Sequence, residues 1–398
     1  MKYRAKYLFF VIYSPFPSFA GGRETWLSHI FSKLSDHGYS VTIISLYHAR
    51  KPSRPFYKLD DRVQLVNIFT PRSLVMFSIP ILVELDMLLF TFVASLYLLF
   101  KAPRSSIVYC MNPGFETLGP LFLKRLRRKI IIISTIRGLW SWEMSFRYQR
   151  LKPIFISSLF KKVLRFIEYY TLKNADIVIA NGYDTAEKYS ILIGRFIYIL
   201  PNGVDTTEFT PQSSTSTKQA KTILTVTNLR ALAGINALIK SVVYLKQIYH
   251  KPFKVKIVGG GDKRPFLKLA ETLGVKQYIE FLGERQDIPN LLREADVVAC
   301  LKEGGGISHS LLEAMASGKA IVAWNTRVYN QVLTNGFNGL LVAKDDIKQL
   351  SEAFSKLLND HEFAVVLGRN ARAEAMKYDW NEIAKMLIKI LSGKLQQK

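Results

Sequence analysis

The stretch from Val297 to Thr326, VVACLKEGGGISHSLLEAMASGKAIVAWNT, leaves a chain that contains it few ways to fold. Val297 to Leu301 reads as a buried strand, and Gly304, Gly305 and Gly306 read as a loop. About Ser308 to Ala316 reads as a helix, Gly318 as its stop, and Ala320 to Trp324 as a second strand. This is half of a βαβ unit of the kind that holds a phosphate ester.

The physics of that stretch favours an anion. Three consecutive glycines let the backbone approach a ligand without Cβ obstruction, and the helix that follows offers unpaired N–H groups and a partial positive charge. Side chains on a helix lean toward its N-terminus, so Glu313, about 7.5 Å of rise beyond Ser308, sends its carboxylate back toward the loop. There it would accept hydrogen bonds from vicinal sugar hydroxyls. The same residues also suit a plain strand-loop-helix turn with a solvated glutamate, because a glycine-rich loop alone is a weak signal.

With 398 residues, 49% of them hydrophobic, the chain is long enough for two domains. Cys110 and Cys300 both lie in apolar runs, which argues against a disulfide framework and for a reducing compartment. The opening MKYRAKYLFFVIYS has no small-residue cleavage site, and it reads as a first buried strand rather than a signal peptide. The net charge is +24, of which the first 200 residues carry +16. Basic residues cluster at Lys124, Arg125, Arg127, Arg128 and Lys129, and again from Arg147 to Arg165, interleaved with aromatic residues. Aromatic and basic residues mixed on one amphipathic segment point to an anionic membrane surface. No nucleic-acid recognition motif accompanies them, so a nucleic-acid partner is not expected.

Leu74 to Phe100 is the longest apolar region, interrupted by Glu84 and Asp86. The uninterrupted part from Met87 to Phe100 covers only about 21 Å as a helix, against roughly 30 Å of hydrocarbon. A buried or half-inserted helix is expected there rather than a span.

Strands are expected at 7–13, 41–46, 63–69, 107–110, 129–134, 177–180 and 197–200, with helical segments between most of them. After the polar segment 212–221 a second set follows at 222–227, 254–258, 278–282, 297–301 and 320–324. Each half reads as a doubly wound parallel sheet, and two such Rossmann-like halves would face each other across a cleft. Gly21 and Gly22 close the first strand-helix loop but lack the G-x-G-x-x-G spacing of a dinucleotide site. The six histidines show no metal-ligand spacing, and no nucleophile-elbow motif is present.

Taken in order, these pieces resemble the retaining nucleotide-sugar glycosyltransferases of the GT-B fold, family four (glycosyl transferases group 1). The resemblance covers nearly the whole chain. It rests on Gly21-Gly22-Arg23-Glu24, Glu168 with Asn174-Ala175-Asp176, Pro201-Asn202-Gly203-Val204-Asp205, and Val258-Gly259-Gly260-Gly261-Asp262. Phe281-Leu282-Gly283, Ala295-Asp296-Val297, Leu311 to Gly318, Asn338 to Val342 and Trp380 complete the series. The resemblance implies an acceptor-binding domain at 1–205, a nucleotide-sugar-binding domain at 206–376 and a helix at 377–398 that returns to the first domain. It places Glu313 on the ribose hydroxyls, the backbone from Gly283 beside the base, and Gly21 and Gly22 near the diphosphate. Gly304, Gly305, Gly306, Ile307 and Ser308 would border the donor. No metal or other cofactor is implied beyond the donor itself, a UDP- or GDP-sugar.

The chain departs from the family pattern in three places. The family separates its two glutamates by seven residues, whereas Glu303 and Glu313 have nine between them and Gly305 stands at the expected position. A bulged loop would still bring Glu303 to the donor sugar, or the backbone from Gly304 to Ile307 would do that work. The cations that usually neutralise the diphosphate fall on Asn228 and Ala233, with Arg230 as the nearby substitute. Arg137 replaces a histidine and would contact the donor sugar or phosphate.

The expected function is sugar transfer to a glycan or lipid-linked acceptor for cell-surface polysaccharide or glycoconjugate, by a cytoplasmic protein held peripherally at the inner face of the membrane. The alternatives are a sugar-nucleotide epimerase or hydrolase on the same fold, and a non-catalytic subunit on a degenerate transferase scaffold.

Overall fold

The computed structural model describes residues 7–13, 22–47, 61–71, 80–126, 129–137, 154–211, 220–229, 234–303 and 306–393. The chain forms two compact units, Met1–Pro201 with Asn381–Lys398, and Asn202–Trp380.

The first unit runs β1 (Tyr7–Ile12), α1 (Gly22–Asp36), β2 (Ser40–Leu46), β3 (Gln64–Ile68), α2 (Pro80–Lys101), β4 (Ser106–Cys110), α3 (Phe115–Leu126), β5 (Ile131–Ile136), α4 (Ile154–Asn174), β6 (Ile177–Ala180), α5 (Tyr183–Ile193) and β7 (Tyr198–Ile199). Its sheet has the order β3-β2-β1-β4-β5-β6-β7, with every pair parallel. Helices cover both faces of such a sheet, so its central strands read as unbroken apolar runs. In β1 every residue after Tyr7 is buried. The strand expected at 129–134 begins two residues later, because pairing with β4 sets Ile107 opposite Ile131.

The acids that interrupt the apolar run of α2 lie inside the unit. Glu84 and Asp86 are both buried, and Asp86 accepts hydrogen bonds from the Tyr13 hydroxyl at 2.6 Å and from Thr70 at 2.8 Å. Val83, Met87, Phe90, Ala94 and Leu98 pack into the unit's core. By length and composition α2 is the one described helix apolar enough to cross a membrane, yet 44% of its most apolar window is buried.

The second unit runs β8 (Lys221–Val226), α6 (Ile235–Ile248), β9 (Phe253–Val258), α7 (Arg264–Thr272), β10 (Ile279–Gly283), α8 (Ile288–Glu294), β11 (Val297–Cys300), α9 (His309–Ala316), β12 (Ala320–Trp324), β13 (Leu340–Val342), α10 (Ile347–Asn359) and α11 (His361–Ala375). A last helix, α12 (Trp380–Leu391), begins at its end, and from Asn381 onward it groups with the first unit. The sheet order is β10-β9-β8-β11-β12-β13, again all parallel. The short edge strand β13 is too brief to show in the hydrophobic pattern.

Hydrogen bonds to residues 378–380 hold residues 202–206 in the second unit. Val204 donates to the Tyr378 carbonyl at 2.9 Å, Trp380 donates back to Val204 at 3.2 Å, and Thr206 donates to Asp379 at 2.7 Å. Gly203 is required there, because a Cβ would lie 2.4 Å from the Trp380 ring.

The two units share one device. In the first, Asp176 takes the Ile132 N–H at 2.8 Å on one carboxylate oxygen and the Lys124 ammonium on the other, while its own N–H meets the Ile132 carbonyl at 2.9 Å. In the second, Asp296 takes the Thr222 N–H at 2.8 Å and Lys221 at 2.9 Å, and its N–H meets the Thr222 carbonyl at 2.9 Å. Each Ala-Asp pair thus fastens the start of one strand to its neighbour.

Candidate functional site

In the second sheet, chain order reverses between β8 and β11, and ligands of open α/β sheets bind at the carboxyl ends of the strands at such a point. A shallow recess lies there, lined by Thr225, Thr227, Cys300, Lys302, Ser308 and Tyr329 among others. Three loops at the same ends of β8, β9 and β10 are tightly joined. Thr227 donates to Val258, Leu229 to Gly260 and Gly259 to Gly283, each at 2.8 Å. Gly259 has φ +144°, and a Cβ there would meet the Thr227 carbonyl oxygen at 2.0 Å, so no other residue lets these loops close.

Helix α9 starts at the recess. Ser308 is its N-cap and accepts from the Leu311 N–H at 3.2 Å, which leaves other first-turn N–H groups facing the loop. Asn202 donates to the Ile307 carbonyl at 2.8 Å, and His309 Nδ1 donates to the Gly203 carbonyl at 3.2 Å. Trp380 packs on the His309 ring with centroids 5.9 Å apart. At the far end of α9, Arg372 donates to the Ala316 carbonyl and to Phe209 at 2.9 Å.

Glu313 is half-buried on α9, and its carboxylate has no hydrogen-bond or ion-pair partner among the described residues. Burial, then the nearby charge of Glu208, pushes its pKa up to about 7. Burial, then the Glu313 carboxylate, pushes the Cys300 thiol up to about 12, so it is an inert wall. A half-buried acid without partners is costly unless something else satisfies it.

The other expected site residues fall into three groups. Gly306, Ile307 and Ser308 lie in the loop ahead of α9, with Ile307 buried, and Gly283 ends β10 with φ +70°. Glu303 follows β11 by three residues, but its carboxylate is engaged by Lys344 at 2.9 Å, just past β13. In the first unit Arg137 follows β5, and its guanidinium lies 4.1 Å above the Trp26 ring, a cation–π contact. Gly22 opens α1. Gly21, Arg230, Gly304 and Gly305 lie outside the described residues.

Sequence reasoning missed Lys302, Lys344, Glu208, Tyr329, and the anchoring roles of Asn202, His309 and Trp380. Asn202 and Trp380 belong to the motif series, which marked their positions without a role. Nothing in the sequence pairs Lys344 with Glu303, because the two meet only through the β11-β12-β13 order.

Two Rossmann-like units, each built on a parallel sheet, in one chain define a GT-B architecture. A family model for glycosyl transferases group 1 matches residues 206–374, and one for glycosyltransferase family 4 matches residues 20–208. The chain belongs to this glycosyltransferase family. It is 29% identical over 249 residues to the D-inositol 3-phosphate glycosyltransferase of Corynebacterium urealyticum, covering 57% of this chain and 58% of that one. It is 35% identical over 134 residues to the N,N'-diacetylbacillosaminyl-diphospho-undecaprenol alpha-1,3-N-acetylgalactosaminyltransferase of Campylobacter jejuni, covering 34% of this chain and 35% of that one. The chain thus spans 58% or less of the length of these curated relatives. Among solved structures, Anabaena HepE in complex with UDP shares its fold with a TM-score of 0.71 and 17% identity, covering 97% of this chain and 99% of that one.

Proposed function

We propose that the protein is a retaining glycosyltransferase. It moves a sugar from a UDP- or GDP-sugar to a glycan or lipid-linked acceptor, without a metal, in the making of cell-surface polysaccharide or glycoconjugate at the inner face of the cytoplasmic membrane. The observation that carries this reading is the recess at the β8/β11 switch point, with the N-terminus of α9 at its edge and, on the same helix, the Glu313 carboxylate, unpartnered among the described residues.

In this reading the α9 N-terminus and the backbone of Gly306 and Ile307 receive the diphosphate. Glu313 receives the two ribose hydroxyls, and Gly283 borders the base. The bond between the anomeric carbon and the diphosphate oxygen breaks, the acceptor hydroxyl bonds to the same face, and its proton leaves with the diphosphate. Charge builds on the departing phosphate, where a helix dipole alone is weak, so a cation must stand near it. Lys302 lines the recess and makes no ion pair with any described residue, and it supplies one such cation. Arg230 supplies the second. Glu303, neutralised by Lys344, is assigned to the donor sugar.

The relatives' names support the acceptor classes, one naming an inositol phosphate and the other an undecaprenol-linked sugar. The UDP in the HepE complex supports a uridine donor. The test is calorimetric titration with UDP, GDP and their sugars, followed by incubation of the tightest donor with membrane lipid extract, with and without EDTA. Sugar appearing on lipid or glycan at the same rate in both arms is expected. No binding by any of these nucleotides overturns the donor site, and free sugar or an altered nucleotide sugar without acceptor makes the enzyme a hydrolase or epimerase.

A further inference from the structure

We propose that the outer face of α2, α3 and α4 in the first unit is a bilayer-contact surface, on which the protein lies against anionic lipid with α2 in the interface plane. This deepens the membrane-face reading above by naming the surface. It begins with topology, because these helices are the successive crossovers β3-α2-β4-α3-β5-α4-β6, and right-handed parallel crossovers place them in one layer on one face of the sheet. Helix α3 packs against α2 on one side and α4 on the other.

The side of that layer turned away from the core is apolar. On α2, Leu85, Leu89, Phe92, Leu96 and Phe100 recur at spacings of three and four residues, and Phe92 and Phe100 are 60% and 76% exposed. The stripe runs roughly 22 Å along one helix face. On α3, Phe122 and Leu126 are both 67% exposed, and on α4 Val163 and Phe166 are exposed, the latter at 65%. Soluble surfaces scatter such residues singly, so a continuous array over three helices marks a contact.

Charge identifies the partner. The three helices contain four acidic residues, Glu84, Asp86, Glu116 and Glu168, and all four are buried. Lys101, Arg125, Lys162 and Arg165 are exposed on the same helices. The outer face therefore presents hydrocarbon rimmed by cations alone, the pattern that enters the headgroup layer of an anionic membrane to a depth of roughly 5–10 Å. A second copy of this chain is disfavoured as the occupant, since the chain carries +24 and would bring cationic rims together.

The test uses the full chain sedimented with vesicles of phosphatidylglycerol and phosphatidylcholine, or of phosphatidylcholine alone, and needs neither donor nor acceptor. Its failure is therefore distinct from failure of the transferase reading. Binding to the anionic vesicles is expected, at least tenfold weaker for Leu89→Glu/Phe92→Glu and for Lys162→Glu/Arg165→Glu, and unchanged for Phe337→Glu, an exposed phenylalanine of the second unit. Melting curves check that the variants fold. Because Cys110 and Cys300 are buried, a polarity-sensitive dye on Phe92→Cys gives an independent readout, with a blue shift expected on anionic vesicles and none for the dye on Phe337→Cys. Equal sedimentation of the wild type and both double variants, an unshifted dye at position 92, or a concentration-dependent dimer abolished by Leu89→Glu/Phe92→Glu with no vesicle binding would each overturn the proposal.

Discussion

Glu313 sits between two opposing demands. Its pKa is raised from an ordinary 4.5 to about 7, so the folded state favours the protonated form. The cost of this is absent below pH 4.5, grows as the pH rises, and is complete above pH 7. Glu313→Gln removes a charge that burial penalises, so the variant should be more stable than wild type by about 2 kcal/mol at pH 8 and equally stable at pH 4, measured by thermal melts at the two pH values. The proposed ribose contact needs the ionised form, so nucleotide affinity in wild type should rise between pH 6 and pH 8, and calorimetry should show that Glu313→Gln abolishes both the rise and most of the affinity. At the leaving group, Lys302→Ala and Arg230→Ala should each lower turnover more than tenfold; a variant that keeps its rate removes that cation from the mechanism. The sequence marked Glu313 through the helical spacing from Ser308, whereas its raised pKa depends on burial in the folded unit and, after that, on Glu208, more than a hundred residues earlier. Lys302 was invisible because a lysine after a buried strand looks like any solvated charge.

At the scale of elements, the two Ala-Asp clamps hold the sheets at their entry edges. Asp296 joins β8 to β11, the pair of strands that frames the recess, through a charge-assisted bond to the Thr222 N–H and a partly exposed ion pair to Lys221. Asp296→Ala should cost about 2 kcal/mol, most of it from the lost backbone bond, and denaturant unfolding should report the loss. The turn at Gly203 is constrained by packing instead, since a methyl group would enter the Trp380 ring. Gly203→Ala should cost roughly 1–3 kcal/mol and loosen the His309 contact that orients α9, so nucleotide affinity should fall along with the melting temperature. Helix α2 shows why apolar patterning alone misjudges an element. Asp86 breaks its apolar pattern, but the helix stays in the core because Tyr13 and Thr70 meet that carboxylate inside the unit.

At the scale of the molecule, the chain combines the proposed donor recess in one unit with a basic, apolar-faced helical layer in the other. Transfer to a lipid-borne acceptor in anionic vesicles should therefore fall steeply with added salt, while nucleotide binding in solution changes little; parallel loss of both would mean that salt acts at the donor site. The sequence by itself determined the two doubly wound sheets, because buried parallel strands must be continuous apolar runs and their crossovers must be amphipathic helices. It also marked the βαβ stretch and Glu313, through glycine, cap and helical spacing that are local in the chain. Only the tertiary structure decided that Glu303 pairs with Lys344, that Asn202 and Trp380 support the loop ahead of α9, and that the acids of α2, α3 and α4 turn inward while their leucines and phenylalanines turn out. Those outcomes join residues distant in sequence, and they depend on which strand lies beside which and which helix face meets the sheet.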